Sequence, residues 1–122
     1  MESNYKKLIV WQKAMQLTTD IYKIVKKLPK DELFALSDQM RRAAVSIPSN
    51  IAEGCGRGLQ GEIKYFLRIA CGSAAELETQ LQICLNLGYL TTQDIDGIIS
   101  LLLEIKKMLS SFMKSKKLSS TN

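Results

Sequence analysis

The stretch SIPSNIAEGCGRG, Ser46 to Gly58, decides how this chain folds. A proline stands inside what otherwise reads as helix, polar residues follow at helical spacing, and glycines close the stretch around Arg57. Three readings compete: a phosphate-cradling loop, a catalytic elbow, and a helix with polar groups along one edge. A dinucleotide loop needs a strand before it and a helix after it, so that amides converge on the phosphate. Here a helical pattern precedes Gly54, no strand pattern occurs anywhere, and the Walker spacing GxxxxGK(S/T) is missing. An elbow at Ser46 or Ser49 has no histidine partner, and the nearest lysines fall on other helices. Cys55 beside Arg57 has a neighbour that can lower a thiol pKa, but no base accompanies it. The helix reading keeps the apolar register through Ile47 and Ile51 across Pro48, which favours one continuous, kinked helix. The alternative is a break near Ser49, with Asn50 as a new N-cap and Glu53 as its box partner. An internal proline costs ~3 kcal/mol because it removes a donor and clashes with the carbonyl four residues back, so neighbours must offset it. Arg42, Ser46, Asn50, Glu53 and Arg57 step by four, four, three and four, forming a polar stripe beside the apolar one. Asn50 and Glu53 are placed to reach backbone groups freed by Pro48. Glu76 and Glu78 are the natural partners of Arg41 and Arg42.

Working outward, the same periodicity marks three more helices. Val10, Ala14, Leu17, Ile21, Ile24 and Leu28 form one apolar face, ended by Pro29. Leu36, Met40, Ala43, Ile47, Ile51 and Gly54 form the second. The third runs from Ile63 through Ala70, Leu77 and Leu81 to Cys84, with Gly88 as C-terminal cap. The fourth opens at Thr91 or Thr92, either of which can be the N-cap, and runs through Ile95, Ile98, Leu102, Ile105, Leu109 and Phe112. The expected helices are about 8–28, 33–57, 60–87 and 92–114, within a single domain spanning 1–122, with a disordered tail over 115–122. Short links make neighbours antiparallel, so the fold class is all-α, an up-down-up-down four-helix bundle. Trp11, Tyr22, Phe34, Tyr65, Tyr89, Leu101 and Leu103 fall partly or wholly outside the stripes. Such surplus apolar surface points to subunit contacts.

The chain has 122 residues, no histidine and three cysteines, Cys55, Cys71 and Cys84. The missing histidine removes the commonest general base and metal ligand. It also rules out the Glu-x-x-His pairs of di-iron bundles, so no metal or cofactor is expected. An odd cysteine number without CxxC spacing fits a reduced, cytoplasmic setting, with Cys71 and Cys84 as small buried hydrophobes. No apolar run approaches the ~18 residues of a membrane span, and no signal-peptide pattern opens the chain. The net charge of +5 is uneven: residues 1–30 carry seven lysines against Glu2 and Asp20, and residues 105–122 carry five lysines and no acid. Basic ends suit a polyanion. Lys13, Lys23, Lys26, Lys27, Arg68, Lys106, Lys107 and Lys114 are the candidate nucleic-acid contacts. First and fourth helices are neighbours in such a bundle, so the two basic regions are expected to merge.

In order along the chain stand LIVWQKAMQLTTDIY, LSDQMRRAAVSIPSNIAEGCGRG, EIKYFLRIACGSAAELETQL and LGYL. Together they resemble the four-helix bundle proteins named for 23S rRNA intervening sequences, from about Tyr5 to Leu90. The resemblance implies a left-handed up-down-up-down four-helix bundle that assembles as a homo-oligomer, a pentameric ring, with members encoded in many bacteria within insertions in large ribosomal RNA genes. It also implies kinship with the accessory variability protein of diversity-generating retroelements, a basic pentamer that binds nucleic acid and a reverse transcriptase. No catalytic residues come with the resemblance. The expected function is a non-enzymatic homo-oligomeric scaffold that binds RNA or DNA through basic surface. The alternative is a purely structural or protein-binding module without nucleic-acid affinity. Arg41, Arg42, Ser46, Asn50, Glu53, Arg57, Glu76 and Glu78 form the expected structural polar network.

Overall fold

A computed structural model describes residues 4–115. Among them stand four α-helices and no strand: α1 (Ile9–Ile24), α2 (Leu36–Arg57), α3 (Gln60–Asn86) and α4 (Thr92–Lys114), with 3-10 turns at Tyr5–Lys7, Val25–Lys27 and Lys30–Glu32. The expected tail lies outside the described residues except for Ser115. Each helix packs on the next, and α1 also packs on α4, closing the bundle. Thr18 meets Ala44 across α1 and α2, and Ser46 meets Ser73 across α2 and α3. Glu78 meets Lys106 across α3 and α4, and Lys13 meets Glu104 across α1 and α4. Rising numbers on one helix meet falling numbers on the next, so neighbours run antiparallel.

The apolar stripes face inward. Leu17, Ile21, Met40, Ile47, Ile51, Leu67, Leu77, Leu81, Leu102, Ile105 and Leu109 are fully buried. Each such side chain contributes roughly 1.5–3 kcal/mol by leaving water. Cys84 joins them, its Sγ 3.7 Å from the Met40 Sδ.

Helix ends follow local chemistry. α2 ends at Gly58, whose φ of 78° is left-handed and suits glycine. After α3, Gly88 takes φ 76° while its N–H donates to the Leu85 carbonyl and that of Tyr89 donates to the Cys84 carbonyl, which together make a Schellman turn. α4 starts at Thr91: its hydroxyl accepts from the Asp94 N–H, and the Asp94 carboxylate accepts from the Thr91 N–H. α2 begins at Leu36, the first residue of its apolar stripe and three residues after the expected start at 33. The Lys30–Glu32 turn intervenes, and the Glu32 carboxylate accepts from the Leu36 N–H at 3.3 Å and from the Tyr89 hydroxyl at 2.9 Å.

α2 runs unbroken across Pro48. The donor offered to the freed Ala44 carbonyl is neither Asn50 nor Glu53 but the Thr18 hydroxyl of α1, at 3.0 Å. Asn50 Nδ2 instead donates to the Ser46 carbonyl at 2.8 Å and to its hydroxyl at 2.9 Å. α2 and α3 approach closely around Gly54, where an added Cβ would sit 3.0 Å from the Phe66 Cβ and 3.3 Å from the Ile63 Cα.

Candidate functional site

The polar stripe of α2 divides in two. Its inner part is a bridge to α3, with the Ser46 and Ser73 hydroxyls 2.7 Å apart and Asn50 bound behind them. Its outer part is a set of surface ion pairs. Arg42 Nε lies 2.9 Å from Asp38, and Arg57 reaches Glu53 at 2.9 Å and Glu62 at 3.4 Å. Arg57 also stacks its guanidinium 5.0 Å above the Phe66 ring. The expected pairing of Arg41 and Arg42 with Glu76 and Glu78 is not formed. Arg41 lies 3.7 Å from Asp38 and donates to the Leu33 carbonyl at 3.2 Å. Glu78 holds Lys106 at 2.7 Å, and Glu76 accepts from Gln80 at 3.4 Å. A carboxylate one helical turn away on the same cylinder meets an arginine with less ordering than one across an interface of small side chains.

Nothing in this row is arranged for covalent chemistry. All three cysteines are free thiols. Burial pushes the Cys55 thiol up rather than down, so Arg57, engaged with two carboxylates, does not activate it. Burial likewise raises Cys71, despite the nearby Lys106, and raises Cys84 to about 11. Glu53 and Arg57 line one open depression with Tyr5 and Ser49, while Asn50 lines another with Tyr22 and Arg42. These groups do not converge on one pocket.

The candidate cations also divide. Lys13 pairs with Glu104 at 3.1 Å, Lys27 with Asp94 at 2.7 Å, and Lys106 with Glu78 at 2.7 Å, so all three fasten one helix to another. Lys23, Lys26, Arg68, Lys107 and Lys114 make no ion pair among the described residues and stand exposed. The antiparallel fold separates these five. Lys23 and Lys26 sit near the C-terminus of α1, beside the start of α4. Arg68 lies near the start of α3, and Lys107 and Lys114 lie in the last two turns of α4, at the opposite end. The 16 residues of α1 alone span about 24 Å, so Lys23 and Lys26 do not join Lys107 and Lys114 in a single patch.

Counting by ends rather than by chain position gives a clear polarity. One end comprises residues 4–12, 50–68 and 107–115. It carries Lys6, Lys7, Arg57, Lys64, Arg68, Lys107 and Lys114 against Glu53 and Glu62, both already held by Arg57. The other end comprises residues 21–43 and 80–99. There Lys23, Lys26, Lys27, Lys30, Arg41 and Arg42 face Asp31, Glu32, Asp38, Asp94 and Asp96. Lys6, Lys7 and Lys64 are absent from the candidates read in sequence. Lys64 is signalled by its place four residues before Arg68 on the same helix.

A family model described as 23S rRNA-intervening sequence protein matches residues 6–111. The chain belongs to this family. A crystal structure of an S23 ribosomal protein family member of unknown function from Bacteroides thetaiotaomicron is similar in fold and sequence. Its TM-score is 0.79 and its identity 28%, over 88% of this chain and 100% of that one. No curated protein matches the chain. For this intervening-sequence family member, no helix among the described residues is long and apolar enough to cross a membrane.

Proposed function

We propose that this protein is a non-enzymatic, homo-oligomeric scaffold that binds RNA or DNA through the basic end of its bundle. The observation that carries this reading is the charge imbalance between the ends: seven cations against two committed carboxylates at one, six against five at the other. Two helix N-termini and two C-termini meet at the basic end, so their macrodipoles largely cancel and the field arises from side chains. Lys6, Lys64, Arg68, Lys107 and Lys114 supply the phosphate contacts, and each contact releases condensed counterions. Self-association is supported by Met15, Tyr22 and Val45, which stand exposed along α1 and α2 beside the half-buried Trp11. The family resemblance implies five copies. Free thiols support a reducing, cytoplasmic setting. A second reading, a protein-binding module without nucleic-acid affinity, draws on Phe34, 89% exposed at the opposite end.

A salt titration of binding to mixed RNA and DNA, with assembly mass measured before and after nuclease treatment, tests the proposal. Log affinity is expected to fall linearly with log salt. Arg68→Glu with Lys114→Glu is expected to abolish binding, whereas Lys23→Glu with Lys26→Glu leaves most of it. Absence of binding by the wild-type assembly at about 50 mM salt refutes the nucleic-acid reading, and a monomeric mass refutes the assembly.

A further inference from the structure

We infer that the basic end takes single-stranded nucleic acid, with one base stacked on Tyr65; this rests on the nucleic-acid reading above. Tyr65 is on the second turn of α3 and is 56% exposed, although its ring belongs to none of the core stripes. Its ring is braced from behind: it meets Phe66 edge to face with centroids 5.0 Å apart. Phe66 in turn lies under the Arg57 guanidinium, 5.0 Å from its centroid. The ring is therefore held in place before any ligand arrives. Cations stand near it along α3 and at the same end of the bundle. Arg68 is one turn further along the same helix, Lys64 is the preceding residue, and Lys114 ends α4 at the same end of the bundle. Neither Lys64, Arg68 nor Lys114 forms an ion pair among the described residues, and the carboxylates of this end are engaged by Arg57.

An exposed aromatic face within a cation-lined surface is the arrangement by which proteins hold single strands. The cations follow the phosphates, and the ring stacks on a base that is free only when unpaired. In a duplex each base face is already covered by its neighbours, so Tyr65 would add nothing there. The site offers stacking and charge without a row of donors for base edges, so sequence tolerance is expected.

Fluorescein-labelled oligo(U) and oligo(dT) 20-mers and a 20-base-pair DNA duplex are titrated against the intact assembly by anisotropy. Tyr65→Ala is expected to weaken binding of both single strands about five- to a hundredfold. The salt slope should stay unchanged, because the ring releases no counterions, and duplex affinity should also stay unchanged. Tyr65→Phe should bind as wild type. Arg68→Gln should instead weaken all three probes and reduce the slope by about 0.7–0.9. A preference of oligo(U) over oligo(dT), or the reverse, identifies the sugar chemistry. Wild-type affinity in Tyr65→Ala overturns the stacking assignment and leaves the basic-end reading standing. Equal losses on strands and duplex overturn it as well. So does a changed assembly mass, which would make Tyr65 a subunit contact. Failure of the wild type to bind any probe removes both readings together.

Discussion

The hydroxyl of Thr18 lies 2.9 Å from the Ala14 carbonyl and 3.0 Å from that of Ala44. It has one proton to donate, and the Ala44 carbonyl is the one that Pro48 cannot serve. Thr18→Val keeps the shape and removes the donor. It is expected to cost about 1–2 kcal/mol in urea unfolding, as for a polar group left without a partner. In a Pro48→Ala background the new amide can serve Ala44, so the same change should cost far less. Additive losses in this double-mutant cycle would show that Thr18 does not substitute for the missing amide. The need for a donor near Pro48 is legible in the sequence, but its source is not. A threonine inside a helix ordinarily bonds back to its own helix, and the helix that meets Ala44 is fixed only by tertiary packing.

The four helices, their inward faces and the caps at Gly88 and Thr91 are legible in apolar spacing and end chemistry alone. The distances between helices are not, and Gly54 and Gly72 show the difference. Both stand in helices, where alanine is favoured by up to ~1 kcal/mol. At Gly72 an added Cβ meets nothing within 4 Å, whereas at Gly54 it meets Phe66 and the backbone of Ile63. Those atoms cannot turn aside as a flexible side chain could, so α2 and α3 would have to separate. Gly72→Ala is expected to stabilise the protein by roughly 0.5–1 kcal/mol. Gly54→Ala should destabilise it by about 1 kcal/mol, because overpacking costs about 1–3 kcal/mol against the propensity gain. Denaturant melts of both variants check the pair, and stabilisation by Gly54→Ala would mean that the two helices are not in tight contact there.

At the scale of the whole bundle, Asp94 joins the start of α4 to the end of α1. The bond from Lys27, with the Thr91 cap, holds its carboxyl down at about 2. A depressed folded-state pKa contributes stability that is present above the unfolded value and lost as pH falls through the folded one. The bundle is therefore expected to weaken between about pH 4 and pH 2. Thermal melts across that range should show a shallower fall for Asp94→Asn, and identical profiles would show that the pair does not link folding to protonation. Charge is where linear sequence informs least. Lysines crowd both ends of the chain, but the fold brings Asp38 of α2 and Asp94 and Asp96 of α4 to the end that holds Lys23 to Lys30, which no one-dimensional count displays. What remains uncompensated is the end from which residues 4 and 115 both emerge. Any affinity tag or fusion partner joined at either extremity is thus tethered beside the surface proposed to hold nucleic acid, where an oligohistidine or an acidic carrier would compete with or shield it. A label inserted between Pro29 and Ala35 would sit at the far end of the bundle and report on binding without occupying the space that the ligand needs.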